Sequence, residues 1–350
     1  MSLTKEELAR YSRQIVMKKV GLDGQKRLKE ARVCVAGVGG LGCVSALQLA
    51  AMGVGFIRLV DHDTVDITNL HRQFLYDVNS LDHPKVEVAR DRLKSLNPNV
   101  EVEPIPLNIN SHTAKEVVEG VDVVVDGLDR LAPRYALNEA CQSLKVPYIY
   151  GAAIQLHGYA STIIPGKTAC LECMLGRISD EGLPTCETAG VLPPILGAIA
   201  SVQTKEAVSL IIGDEPSLAN KLLLCDLDFM SFEVFSVARN PNCRTCGLPV
   251  KPLAIAEGVK VVQLCGKGAF MISQRTPLSL DMAKVASKLE SMFRVKVRGP
   301  IGITFDYSDE VSVSLMKTGN MLVKGVEGEE RALQIYDEVL QALAGEVKPA

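Results

Sequence analysis

The chain has 350 residues, 47% hydrophobic and 23% charged, with a formal net charge of −3. This suits a soluble protein of one large and one small domain, and the charge gives no reason to expect nucleic acid or an anionic membrane as a partner. The N-terminal "MSLTKEELAR" lacks the apolar core of a signal peptide, and the longest apolar stretch, "GVLPPILGAIASV", is broken by prolines and glycines, unlike a membrane span. A cytoplasmic location is therefore expected, with the ten cysteines acting as core, metal ligands or nucleophiles and not as disulfides.

In chain order, the first half alternates strands and helices. "RVCVAGVGG" reads as a strand ending in glycines, "GLGCVSALQLAAMG" as a buried helix stopped by Gly53, and "FIRLVD" as the next strand. "HPKVEVARDRLKSLNP" has helical spacing and ends at Asn97-Pro98. "VEVEPIPL", "VDVVVDG" and "VPYIYGA" read as strands, with "PRYALNEACQSL" as a helix between the last two. Such alternation predicts an α/β, Rossmann-like fold, a mostly parallel sheet with helices on both faces. After residue 150, "HGYASTIIPG" and "LLLCDLDFMSFEVFSVA" read as longer strands around the helical "ILGAIASVQTKEAVSLII", an antiparallel extension of the same sheet. The junction "RNPNCRTCGLPVKP" closes a first domain over 1–250. A small α+β C-terminal domain is predicted over 255–350, with a helix near 279–293 and another in "EERALQIYDEVLQAL".

Gly37, Gly39 and Gly42, with Gly40 among them, give "VCVAGVGGLGCV" its G-x-G-x-x-G spacing between a strand and a helix. Glycines let the backbone turn tightly and approach phosphate, and the helix N-terminus offers free N–H groups and a positive dipole end. Asp61 closes the next strand, where an acidic side chain takes ribose hydroxyls. The pattern fits a dinucleotide or ATP alike, and its bland alternative is a glycine turn kept for helix–sheet packing. No Walker-type G-x-x-x-x-G-K-[ST] is present. "DHDTVDITNLHRQF" then supplies Asn69, Arg72 and Gln73, and "HPKVEVAR" supplies Lys85. Two cations and two amides beside the loop suit a triphosphate better than the two phosphates of NAD, although a lone Arg or Lys is ordinarily a solvated charge. Asp129, in "VVVDGLDR", follows a buried strand at the edge where α/β sheets bind ligands. A carboxylate there would hold Mg²⁺ bridging phosphates, or cap the helix that follows.

"CLEC" (Cys170, Cys173) and "CRTC" (Cys243, Cys246) are two C-x-x-C pairs, enough to close a tetrahedral thiolate site suited to structural Zn²⁺; the alternative is two unrelated core or redox pairs. Cys34, Cys43, Cys141, Cys225 and Cys265 lie in strand or helix patterns and read as core. A lone cysteine is ordinarily packing too. Cys186, however, sits in "GRISDEGLPTCETAG", which is polar and punctuated by Gly and Pro.

"RYSRQI" at 10–15, "GVGGLG", "D-x-D-T-V", "NLHRQF", "HPKVEVA", "DGLDRLAPRYALNEAC" and "CETAGVLPPILGAIASVQTKEAVSLI" resemble the MoeB/ThiF family, the adenylylating core shared with ubiquitin-activating enzymes, over roughly residues 5 to 250. The resemblance implies a homodimer that uses ATP to adenylate the C-terminal glycine of a small ubiquitin-fold protein. By position, it implies that Asp61 binds ribose, Arg72 and Lys85 hold phosphates, Asp129 positions Mg²⁺, and Arg13 reaches the neighbouring subunit's phosphates. It also places a zinc at the two cysteine pairs. Cys186 matches a cysteine that attacks the acyl-adenylate, giving a thioester or an acyl-persulfide-linked intermediate, while some relatives adenylate without a covalent step. One departure is Arg130, where the family usually has Asn after the catalytic aspartate. Downstream, the resemblance implies a conjugating enzyme or a sulfurtransferase as partner. The C-terminal domain is weakly similar to the ubiquitin-fold tail of activating enzymes; a stabilising or dimer-forming appendage is the alternative. Two other readings are an NAD-dependent oxidoreductase, which leaves Arg13, Arg72, Lys85 and the cysteine pairs unexplained, and an inactive scaffold, which Lys85 and Asp129 argue against.

Overall fold

The computed structural model describes residues 2–185, 188–247, 260–263, 268–273, 278–344 and 347–349. Helices α1 (Lys5–Arg10), α2 (Ser12–Ile15) and α3 (Gly21–Glu30) precede strand β1 (Arg32–Ala36). The chain then runs α4 (Gly40–Met52), β2 (Phe56–Val60), α5 (Lys85–Leu96), β3 (Glu101–Ile105), α6 (Ala114–Val118), β4 (Val123–Asp126), α7 (Leu131–Leu144) and β5 (Tyr148–Ile154). It continues through β6 (His157–Ile163), α8 (Leu171–Leu175), α9 (Pro193–Ile212), β7 (Lys221–Asp226) and β8 (Ser231–Ser236). These strands form one eight-stranded sheet in the order β3-β2-β1-β4-β5-β6-β7-β8. Pairings are parallel from β3 to β5 and antiparallel from β5 to β8, as the alternation predicts.

The parallel part of the sheet is buried on both faces. Along β1, Val33 and Val35 join the core under α4, α5 and α9, while Cys34 and Ala36 point to the core under α6 and α7. This period-2 division is why β1 reads as a continuous apolar run. Helix α9 is long and apolar enough to cross a bilayer, yet it is a core helix. Its Gln203 donates to the backbone oxygens of Asp126 and Ile149, and its Glu206 accepts from Thr162 Oγ1 at 2.6 Å.

One expected strand divides. "LLLCDLDFMSFEVFSVA" is a hairpin of β7 and β8, turned at 227–230 with Met230 at φ 51°. Periodicity carries through that turn because Leu227, Phe229 and Met230 within it are apolar. Cys34, Cys43, Cys141 and Cys225 are buried, as expected of core residues; Cys265 lies outside the described residues.

The later elements are β9 (Lys260–Gln263), β10 (Ala269–Ser273), β11 (Leu278–Leu280), α10 (Met282–Glu290), β12 (Arg294–Arg298), β13 (Gly302–Asp306), β14 (Ser312–Met316), β15 (Met321–Lys324), α11 (Glu329–Ala342) and β16 (Val347–Pro349). Six form a second sheet, ordered β12-β13-β14-β15-β10-β9, and β11 pairs with β16. Phe270, Ile272, Ile303, Phe305, Val313 and Leu315 turn one face of that sheet onto α10 and α11. All its described pairings are antiparallel.

Candidate active site

The glycines build a close crossing. Gly37 has φ +86°, and a Cβ there would lie 2.7 Å from the Gly127 oxygen; one on Gly42 would lie 1.9 Å from the Gly37 oxygen. No other residue fits either place. The crossing brings the loop after β4, which carries Asp129, against the loop after β1. Helix α4 opens at Gly40 with Gly39 as its cap and no side-chain cap bond, leaving N–H groups directed at the crevice.

Asp61 fixes the loop from the neighbouring strand end. Its carboxylate accepts from Val38 N at 2.7 Å and from Asp63 N at 2.8 Å. Gln73 is buried against the glycines, its Nε2 3.9 Å from where a Gly39 Cβ would stand, and its Oε1 has no partner among the described residues. An orphaned buried acceptor is costly until a donor reaches it; toward a phosphate oxygen Gln73 can offer only its Nε2.

Lys85 opens α5, its side chain only 6% exposed, and its Nζ donates to Asp63 Oδ2 at 2.9 Å. Burial opposes charge on both groups, but their attraction prevails. The Lys85 ammonium is held above its ordinary range, and the Asp63 carboxyl well below its own with help from His62. Lys85 is therefore a fixed cation and no proton donor at neutral pH, with two N–H directions left for a ligand. Arg72, half-buried, donates to Thr68 O at 2.6 Å, while Asn69 Oδ1 accepts from Asp66 N at 3.3 Å. Those two shape the turn between β2 and α5.

Asp129 is exposed at the crevice edge and is not the cap of α7. That cap comes from a distant residue. Asp180 accepts from Leu131 N at 2.6 Å and from Ala132 N at 3.0 Å. Beneath the site, Asp126 is fully buried and receives Arg134 Nε at 3.0 Å and Tyr148 OH at 2.6 Å, while Arg134 also donates to Gly151 O at 2.7 Å.

Arg13 does not join this constellation. Its helix sits at the far end of α4: Gln14 Nε2 donates to Met52 O at 2.8 Å, and a Cβ on Gly53 would lie 2.4 Å from the Tyr11 ring. Thirteen residues of helix, about 20 Å at 1.5 Å per residue, separate that end from the glycine loop. Cys186 lies outside the described residues.

The two cysteine pairs do converge. Cys170 lies 3.8 Å from Cys173 and 3.6 Å from Cys243, Cys173 lies 3.4 Å from Cys246, and all four sulfurs fall within 4.8 Å of one another. A tetrahedron with metal–sulfur bonds of about 2.3 Å has edges of about 3.8 Å, so the cluster fits a four-thiolate ion.

Sequence reasoning passed over Asp63, Asp126, Arg134 and Asp180. Asp63 was legible in "D-x-D-T-V", being two residues beyond the ribose candidate. The other three act through contacts across the fold that no local pattern carries.

A chain from Haloferax volcanii named SAMP-activating enzyme E1 is 39% identical over 248 residues, covering 71% of this chain and 92% of that one. A Bacillus subtilis protein named sulfur carrier protein ThiS adenylyltransferase is 31% identical over 339 residues, 93% of this chain and 98% of its own length. The crystal structure of E. coli MccB with ATP superposes with a TM-score of 0.60 at 27% identity, over 68% of this chain and 73% of that one. With the phosphate cradle, these likenesses define the class: the chain is an ATP-dependent adenylyltransferase. A family model described as the ThiF family matches residues 11–245, more than half of the chain, and the chain belongs to that family. The dehydrogenase and scaffold alternatives fall with that assignment.

Proposed function

We propose that this enzyme adenylates the C-terminal glycine of a small ubiquitin-fold sulfur carrier. The observation that carries the reading is the buried Lys85–Asp63 pair beside the glycine cradle: a permanent cation fixed where phosphates would lie. In the reaction the carrier's terminal carboxylate attacks the α-phosphorus of ATP, the acyl-adenylate forms, and pyrophosphate leaves. The α4 N-terminus, Gln73, Lys85 and Arg72 bind the phosphates, and Asp61 takes the ribose. Asp129, exposed at the crevice edge, would hold Mg²⁺, which neutralises phosphate charge when bound. Cys170, Cys173, Cys243 and Cys246 would hold Zn²⁺ as a structural ion. The sulfur-carrier choice is supported by the Bacillus relative, which aligns along nearly all of both sequences and acts by its name on ThiS. A macromolecular substrate is supported by edge strand β8 and its turn, where Phe229, Met230, Phe232, Val234 and Phe235 are exposed together. Residues 1–250 form the adenylylation domain in this reading, and 255–350 the second domain.

The test is pyrophosphate–ATP exchange. It should appear only when a ubiquitin-fold carrier ending in glycine is added; exchange that ignores removal of that glycine would end the proposal.

The distance of Arg13 from its own loop supports a site shared across a homodimer. Arg13→Ala and Lys85→Met should each be inactive, and mixing them under proven subunit exchange should restore part of the activity, because a mixed dimer holds one intact site.

Cys186 is the candidate for a further step. Its thiolate would attack the acyl carbon, forming the C–S bond as AMP leaves, and the thiol proton would pass to solvent. Cys186→Ser should keep pyrophosphate exchange near normal and lose any reductant-sensitive adduct with the carrier, since a serine hydroxyl is a far weaker nucleophile at neutral pH. An adduct that survives the substitution would assign the nucleophile elsewhere, and a wild type that forms none would make the enzyme an adenylyltransferase alone.

A further inference from the structure

Strands β10, β13, β14 and β15 of the second sheet are buried on both faces. Opposite the helices, Met271, Leu322, Ser314 and Thr304 lie side by side on β10, β15, β14 and β13, and none is more than 4% exposed. The segments against that face belong to the first sheet's connections. Thr304 Oγ1 donates to Asp82 O at 2.9 Å, Thr318 Oγ1 to Pro106 O at 2.8 Å, and a Cβ on Gly302 would lie 2.7 Å from Pro84 Cγ.

What is gripped there is the clip that presents Lys85. Residues 63–66 run antiparallel to 82–85. Asp82 N donates to Val65 O at 2.9 Å, Val65 N to His83 O at 2.8 Å, and Lys85 N to Asp63 O at 2.9 Å, around a Thr64–Pro84 bridge. Beside Leu322 on the same sheet face, Lys324 reaches over the clip. Its Nζ lies 3.4 Å from both Thr64 Oγ1 and Asp66 Oδ2. It also adds to the positive charge that Asp63 meets, after burial, Lys85 and His62 have had their larger effects.

We propose that Lys324 is a positioning residue for the nucleotide site: through Thr64 and Asp66 it holds the 63–66/82–85 clip in the register that aims Lys85 at phosphate. This makes the second sheet part of the ATP site's scaffold although none of its residues touches the nucleotide cradle. The inference rests on the reading that Lys85 binds phosphate. A lone half-exposed ion pair contributes little to stability, so the effect should fall on ATP affinity and local order and leave the global fold intact.

The experiment uses the full-length chain and the carrier that supports pyrophosphate exchange. Lys324→Met should raise KM for ATP roughly 3- to 10-fold with kcat within about twofold, the pattern of lost binding. It should also speed amide hydrogen exchange in peptides covering 63–66 and 82–85, with the thermal midpoint little changed. Lys324→Arg should restore both. Asp66→Asn, which keeps a capping side chain for Thr68 N, should reproduce the effect, and the double variant should be no worse than either alone; it also serves if Lys324→Met fails to fold. Unchanged KM, or a raised KM without faster exchange in the clip, overturns the proposal. Loss of all exchange activity in Lys85→Met, with a wild-type-like Lys324→Met, sinks this inference and leaves the adenylylation reading standing; a wild type inert toward every carrier removes that reading itself.

Discussion

Lys85→Met is expected to abolish pyrophosphate exchange, by two to three orders of magnitude as for other fixed charges that stabilise a transition state, and to cost about 1–3 kcal/mol of stability. The second effect arises because methionine leaves Asp63 half-enclosed beside Asp61 without its cation; the figure is below that for a fully buried pair because Asp63 is 33% exposed. The pH dependence has a definite sign. Asp63 is held below its ordinary pKa in the folded chain, so its contribution is complete above the unfolded value of about 4 and is lost as pH falls further, toward the folded one. The stability gap between wild type and Lys85→Met should therefore narrow on going from pH 7 to pH 3.5. Urea unfolding midpoints at the two pH values measure it. A gap that widens in acid would mean that Lys85 is not what keeps Asp63 ionised.

Cys243→Ser is expected to release one equivalent of metal and lower the unfolding free energy by several kcal/mol. Structural thiolate sites hold zinc with an apparent binding energy on the order of 10 kcal/mol, and three thiolates retain only part of it. The damage should stay local at first. The glycine loop, Asp61 and Lys85 all lie on the other elements of the sheet, so nucleotide binding should outlast metal loss, while 239–247 should become labile to protease. Metal analysis, calorimetry and limited proteolysis read the three effects. A metal-free wild type with unchanged stability would make the cluster a set of packed thiols.

Much of this was legible because it is local. The glycine spacing between β1 and α4 encodes the crossing with Gly127, since only glycine tolerates that approach. The spacing of each C-x-x-C likewise encodes half of a tetrahedron. Legibility fails where a contact spans the chain. Nothing near Leu131 announces that its helix is capped by Asp180, and nothing in the later strands announces that a face bearing Met271 and Leu322 packs on the connections carrying Asp82, Pro84 and Pro106. The reading of Asp129 as a helix cap was reasonable by sequence distance and wrong by geometry, because a closer-fitting carboxylate arrives from another loop. The role of Arg13 is not local either: its helix lies a full α4 length from this chain's own glycine loop, and the resemblance assigns it to the neighbouring subunit's site.

That distant cap makes the position of one loop a property of another helix's stability. Ordinary N-caps are neighbours in sequence and stay beside the helix start whatever a distant loop does. Asp180 satisfies α7 from 49 residues away, so whenever the segment carrying it lifts, two amide donors at the helix start lose their acceptor. A lost N-cap costs about 1 kcal/mol, a bias of roughly five to one toward the seated loop. The bonds that complete the helix beside Asp129 thus also anchor the segment carrying Asp180.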